Sequence, residues 1–342
     1  MLSSTPFQWV NPYSPKPSLP VFPPCLSYSV AAILSPRLVL DLCHGRREKQ
    51  NLDSGSHRHL ASGHPTFALV RPSSFSQPQK AQILQSLKEA GVEFIHGSLQ
   101  DVEILTEAVR QVDVVICAVP SKNVLDQKLL IQAIKQAGCI KRFIPSEFGA
   151  DPDKAQIHDI DHGFYARKSE VRRAIEKEGI PYTYVSSNFF MRILLPSLVQ
   201  PGRTMPPRER ITIFGDGSTK AVFLSESDVA TFTLCTVDDP RTLNKVVYLR
   251  PPGNVCSINE LIEMWELKIA KKLEKSYISG EQLLQSIKET PYPSNFETIF
   301  LYSAFVKGDH TYFDIESSGV SGTELYPHVK YTTVSDYLDT LV

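Results

Sequence analysis

Val112-Asp-Val-Val-Ile-Cys-Ala-Val119 is a nearly unbroken apolar run that ends at Pro120-Ser121. A run apolar on both alternating faces reads as a strand buried on both sides, as in the middle of a parallel sheet. Strand and helix patterns alternate on either side of it. Upstream stand the strand Thr66-Phe-Ala-Leu-Val-Arg71 and a helix from Lys80 to Gly91, with Ile83, Leu84, Leu87 and Ala90 on one face. Then come the strand Glu93-Phe-Ile-His96 and a helix from Asp101 to Val112 that Asp101 can cap. Downstream are the helix Asp126 to Ala137, closed by Gly138, and the strand Lys141-Arg-Phe-Ile-Pro145. They are followed by the helix Tyr165 to Glu178, closed by Gly179, and the strand Tyr182-Thr-Tyr-Val-Ser186. Such repetition predicts an α/β fold: a doubly wound, mostly parallel, Rossmann-like sheet with right-handed crossovers.

A sheet of this kind opens with a strand that runs into a glycine-rich phosphate loop. Upstream of Thr66 the chain instead reads Leu38-Val-Leu-Asp-Leu-Cys-His-Gly-Arg-Arg-Glu-Lys-Gln50, and Gly45, Gly55 and Gly63 are wrongly spaced for that loop. Leu38 to Cys43 is extended-compatible and could substitute as the first strand. Residues 1–59 read as an atypical, largely disordered segment. Its first forty residues, Ser- and Pro-rich and without an acid before Asp41, loosely resemble an organellar transit peptide. Only Lys16 and Arg37 supply positive charge there, so a disordered tail and a cytoplasmic location are the simpler expectation.

Residues 60–342 form the expected domain, with 60–190 and 220–250 as the dinucleotide-binding core. A smaller substrate lobe takes 191–219 and 251–342. In it, Arg210 to Phe214 and Lys220 to Leu224 read as strands, and Ser257-Ile-Asn-Glu260 is a capping box for a helix from Glu260 to Leu273. Ser279-Gly-Glu-Gln opens another helix, and Ser335 to Leu341 a last one.

Composition removes several function classes. The formal net charge of −1 lacks the basic excess that a broad nucleic-acid surface needs, so no nucleic-acid partner is expected. The most apolar stretch, Phe189 to Val199, is too short for a membrane span and contains Arg192 and Pro196. Six cysteines without a C-x-x-C pair read as free thiols, and Cys43-His44 with His57, His59 and His64 matches no zinc spacing, so no metal is expected.

In open α/β sheets, ligands lie beyond the carboxyl ends of the strands, here Arg71, Val119 to Ser121, Pro145 to Gly149 and Ser186 to Phe190. Arg71 ends the second strand, where an acid would bind the ribose hydroxyl of NAD and an arginine suits the 2′-phosphate of NADP. Lys80 could add a second positive charge. Lys168 and Arg172 are four apart on one helix face. A half-buried lysine beside a cation has its ammonium destabilised, which tunes it toward proton transfer near neutral pH. On spacing alone, an ordinary charged helix surface explains the pair equally well.

The phrases Lys141-Arg-Phe-Ile-Pro-Ser-Glu-Phe-Gly149, Phe164-x-x-x-Lys168-x-x-x-Arg172 and Gly179-Ile-Pro-Tyr-Thr-Tyr-Val-Ser-Ser-Asn-Phe-Phe190 resemble the isoflavone reductase-like proteins. These are plant NADPH-dependent reductases of the NmrA-like, atypical short-chain dehydrogenase group. Phe305-Val-Lys-Gly-Asp309 and Leu325-Tyr-Pro-x-Val-Lys-Tyr-Thr-Thr-Val334 extend the likeness, which is greatest to the phenylcoumaran benzylic ether reductases. The resemblance implies NADPH as cofactor, Lys168 as catalytic base, and Arg71, Lys80 and Arg172 near the cofactor. It also implies a small phenylpropanoid or isoflavonoid substrate, walled by candidates such as Phe148, Phe189, Phe190, Phe305 and Tyr302, and it leaves room for a homodimer. Removal of a para-phenol proton by Lys168 would open a benzylic ether to a quinone methide that accepts hydride.

Three features depart from that pattern: the absent glycine loop, Met191-Arg192-Ile193 after the Asn-x-Phe phrase, and Tyr302 in place of a pocket histidine. They keep two alternatives open, a cofactor-impaired NmrA-like binding or regulatory protein and a misframed inactive product.

Overall fold

The computed structural model describes residues 30–34, 65–76 and 78–342. The Leu38–Cys43 segment, the glycines Gly45, Gly55 and Gly63, and the Cys43–His64 histidine cluster lie outside the described residues.

The apolar run at 112–119 becomes β4 (Val114–Ala118), and every one of its side chains is buried. On one side it pairs in parallel with β5 (Arg142–Ile144) and on the other with β1 (Val30–Leu34). Beyond β1 lie β2 (Thr66–Val70) and β3 (Glu93–His96), also parallel. Two isolated parallel bridges, Phe143 with Tyr182 and Gly149 with Ser186, carry the sheet on to β6 (Thr183–Ser186). The sheet continues through β10 (Lys245–Tyr248) and β13 (Val320–Ser321). The spatial order 3-2-1-4-5-6 is that of a dinucleotide-binding sheet, with its topological switch between β1 and β4. The first strand is therefore present, at Val30–Leu34, inside the segment expected to lack structure.

The crossover helices are α1 (Pro78–Glu89), α2 (Val102–Val109), α3 (Gln127–Ala137) and α4 (Phe164–Lys177). Asp101 caps α2 by accepting from Ile104 N at 3.0 Å. Gly138 ends α3 at φ +66°; a Cβ there would meet nothing, so backbone handedness alone calls for glycine. Leu105, Val109, Leu130 and Ile134 pack with Val115, Phe143 and Tyr184 in one apolar layer of the sheet. A fully buried aliphatic side chain stabilises the fold by roughly 1.5–3 kcal/mol, so this layer dominates local stability.

The second lobe is built around β8 (Arg210–Phe214), which pairs in parallel with β12 (Glu274–Ile278), and around β9 (Lys220–Leu224), which lies between β7 (Phe189–Phe190) and β11 (Val255–Ser257). Its helices are α5 (Glu226–Thr236), α6 (Ile258–Lys268), α7 (Gly280–Glu289), α8 (Phe296–Tyr302) and α9 (Val334–Asp339). The expected capping box of Ser257 with Glu260 forms, and Ser279, expected to open a helix, forms a second one with Gln282. The helix expected to reach Leu273 stops at Lys268, because the following residues extend into β12 alongside β8. Trp265 is fully buried, and its indole N–H donates to the Pro207 carbonyl at 2.8 Å. Among the described residues, no helix is long and apolar enough to cross a membrane, and no group of His, Cys, Asp or Glu could hold a metal ion.

Candidate functional site at the carboxyl edge of the sheet

The loops that leave β4 and β5 are clasped together. Ser146 Oγ accepts from Val119 N at 3.0 Å and donates to Val119 O at 2.9 Å, while Ser146 N donates to Gln127 Oε1 at 2.7 Å. The turn continues through Phe148, a bulky residue at φ +38°, a conformation that L side chains seldom adopt. This turn aims the Glu147 carbonyl at α4, and Lys168 Nζ donates to it at 2.7 Å.

Lys168 is 6% exposed, and its ammonium lies 4.8 Å from the centre of the Phe164 ring. Burial pushes its pKa down to about 8; Glu147 opposes that push and Arg172 adds to it. A Cβ at Gly149 would stand 3.5 Å from Nζ, so glycine keeps that side of the amine clear. Phe164 in turn packs edge-to-face with Phe296 and Phe300, which makes an aromatic wall beside the lysine.

Arg172 sits in a cluster of carboxylates. Its Nε and Nη2 grip both Glu147 oxygens at 2.6 Å, and Nη1 reaches Asp151 at 2.7 Å and Asp153 at 3.1 Å. The guanidinium is 2% exposed and stacks on the Tyr184 ring at 4.5 Å. Burial works against its charge, but the three carboxylates outweigh burial and hold its pKa well above the ordinary value. Its donors are thus taken up within the chain. Sequence reasoning missed Glu147, Asp151 and Asp153 as partners. It also missed Tyr248, whose hydroxyl donates to Asp151 Oδ2 at 2.5 Å. The readable signal was three acids within nine residues of a strand end, ahead of a helix that carries two cations on one face.

At the end of β6, the amides of Ser187 and Asn188 both donate to the Gly149 carbonyl at 3.0 Å, which places these residues beside the Lys168 turn. Ser187 Oγ and Asn188 Nδ2 are buried without a hydrogen-bond partner among the described residues. Phe189 and Phe190 follow on β7 and point to opposite sides, as strand neighbours must. Phe189 packs in the lobe core with Phe223, Phe305 and buried His310, and Tyr302 belongs to the same cluster. Phe190 faces the cluster around Val185 and Val222. Phe189 and Tyr302 therefore share a neighbourhood that Phe190 does not.

Arg71 stands exposed just after β2, and its carbonyl accepts from Ser74 N at 2.8 Å. Lys80 lies in the first turn of α1, and its side chain is outside the described residues. Of the described cysteines, Cys117 and Cys256 are buried, Cys235 is half-buried and Cys139 exposed, all as free thiols.

Comparison with known proteins adds to this geometry. The model of the NmrA-like family matches residues 56–338. A probable pinoresinol-lariciresinol reductase 3 of Arabidopsis thaliana is 63% identical over 284 residues, which cover 83% of this chain and 91% of that protein. Phenylcoumaran benzylic ether reductase IRL1 of Ginkgo biloba is 55% identical over 282 residues, covering 82% and 92% respectively. Among solved structures, AtPrR2 with NADP+ and (+)-pinoresinol matches with a TM-score of 0.82 at 34% identity, over 93% of this chain and all of that one.

Proposed function

This chain belongs to the NmrA-like family, and we propose that it is an NADPH-dependent reductase that opens benzylic ethers of phenylpropanoid-derived phenols, with Lys168 as the proton-transfer group. The observation that carries this reading is the buried Lys168 amine, 2.7 Å from the Glu147 carbonyl at the carboxyl edge of the sheet, with a pKa of about 8. Family relatives named for phenylcoumaran and pinoresinol-lariciresinol substrates support it. So does the solved relative with NADP+ and (+)-pinoresinol.

The residues present fit the cofactor. Arg71 follows β2, where a cation suits a 2′-phosphate, and Lys80 opens the next helix. Ser187 Oγ and Asn188 Nδ2, beside the Gly149 turn, have no partner among the described residues and would suit a ligand that brings acceptors. NADPH, when bound, supplies a hydride for the benzylic carbon. Lys168 removes the para-phenol proton of the substrate, and that negative charge drives cleavage of the benzylic C–O bond. The protonated lysine then holds a proton at the edge of the site for the departing oxygen. The Phe164, Phe296 and Phe300 rings keep water from the amine and offer an aromatic substrate a flat face.

The test compares a phenylcoumaran bearing a free para-phenol with its O-methyl ether, following NADPH oxidation. The free phenol is expected to turn over and the ether to be inert. Lys168→Met should lower kcat by roughly 10²–10⁴-fold with NADPH affinity unchanged by calorimetry. Equal turnover of phenol and ether, or full activity of Lys168→Met, would refute the role given to the lysine.

A further inference from the structure

Lys168 touches only one end of a longer chain of buried groups. Its amine meets the Glu147 carbonyl, and the Glu147 carboxylate fills the side-on fork of Arg172. The other end of Arg172 meets Asp151, and Asp151 is held by the Tyr248 hydroxyl from the end of β10. Four segments thus converge on one cluster: the β5 loop, α4, β6 through Tyr184, and β10. Arg172, Glu147 and Asp151 side chains are each less than 5% exposed. A bare surface arginine would not collect two fully buried carboxylates, because each ion removed from water costs several kcal/mol unless it is paired.

We propose that Glu147, Arg172 and Asp151 are a positioning unit for the Lys168 amine, with Arg172 acting through Glu147 and by its own charge, and Tyr248 anchoring the far end. The inference rests on the reading of Lys168 as the proton-transfer group, but it concerns how that lysine is held and charged, not what it reacts with. The charged groups facing Lys168 among the described residues are Glu147 from the β5 loop and Arg172 from its own helix. Asp151 and Asp153 stand on the far side of Arg172, and Asp153 is also paired with Arg173. The Phe164 ring and Gly149 are uncharged neighbours of the amine.

This arrangement makes opposite demands on the two partners. Removing the Glu147 charge takes away the group that favours the ammonium, so the lysine should lose its proton more readily. Removing the Arg172 charge takes away a repulsion, so the lysine should hold its proton more tightly. If both residues served only to keep the fold tight, each loss would loosen the site and move Lys168 in one direction, toward an exposed lysine.

The full-length protein labelled with ¹³C-lysine would be titrated by NMR, reading the Lys168 Cε resonance, assigned by its disappearance in Lys168→Met. No cofactor or substrate is needed, so failure here is separable from failure of the proposed reaction. The wild-type midpoint is expected near pH 8. Glu147→Gln, nearly identical in shape, should lower proton affinity by roughly tenfold, and Arg172→Gln should raise it by roughly tenfold. Should Arg172→Gln fail to fold, Arg172→Lys keeps the positive charge though not the two-pronged grip, and should leave the midpoint within about threefold of wild type while Glu147→Gln still lowers it. Shifts in the same direction for the Glu147 and Arg172 charge-removing variants, or no shift for Glu147→Gln, would overturn the proposal.

Discussion

Replacing Lys168 by methionine tests the electrostatics of the site through the stability of the fold. The lysine has a pKa of about 8 in the folded chain against 10.5 for the free side chain. Between those values the unfolded chain binds a proton that the folded chain does not, so stability must rise with pH across that window. At pH 7 the folded protein carries a buried ammonium at a net cost of roughly 3 kcal/mol. Methionine removes that cost but leaves the Glu147 carbonyl without its donor, worth about 1–3 kcal/mol. The variant should therefore be as stable as wild type, or slightly more stable, at pH 7. By pH 9.5 the wild type should have gained about 2 kcal/mol relative to the variant. Urea unfolding at several pH values, followed by the fluorescence of buried Trp265, measures the difference directly. A difference that stays constant within about 0.5 kcal/mol from pH 7 to 9.5 would show that Lys168 is not desolvated, and the argument would fail.

Two further outcomes follow from the fold. Burial, with Arg250 adding to it, lowers the His310 pKa to about 3, and His310 Nδ1 accepts from Val222 N at 3.2 Å. The unfolded chain alone binds this proton as pH falls below about 6.5, so wild type should lose about 2 kcal/mol between pH 7 and 5. His310→Phe should be less stable at pH 7 but lack that acid loss, and parallel acid profiles for the two proteins would contradict the reading. Ser257→Ala removes one half of the capping box of α6 and should cost about 1 kcal/mol in urea unfolding; a loss below about 0.3 kcal/mol would mean that the cap is solvated as readily as it is bonded.

The pair Lys168 and Arg172 was legible because residues four apart share a helix face, and the fold buries that face. The carboxylates that hold Arg172 were not. Glu147, Asp151 and Asp153 stand 19 to 25 residues upstream of Arg172, and Tyr248 lies 97 residues from Asp151. Those meetings are created by sheet order, which places β10 next to β6, and no local pattern announces it. The first strand escaped reading for a different reason. Val30-Ala-Ala-Ile-Leu34 is a five-residue apolar run without the glycine loop that would have marked it, and so short a run does not distinguish strand from helix. Strand β12 was missed because four of its five residues are exposed, which removes the alternation that a half-buried strand shows. Helices α2, α3 and α4, each with an apolar face and a cap or stop signal, matched the reading to within a few residues.

The place of Val30–Leu34 in the sheet also bears on how the protein is made. Residue 30 pairs with residue 66 on one side and with residue 114 on the other. During synthesis this strand emerges first, yet its second neighbour follows only after some 84 further residues. Until then, an apolar segment with a free hydrogen-bonding edge is exposed to any other strand it meets. Because β2 and β4 meet through β1, the β2–β3 pair stays detached from the rest of the sheet until β1 is in place. The sheet around β1 is thus completed only through the non-local β1–β4 pairing, so the amino-terminal strand depends on chain made much later for its burial.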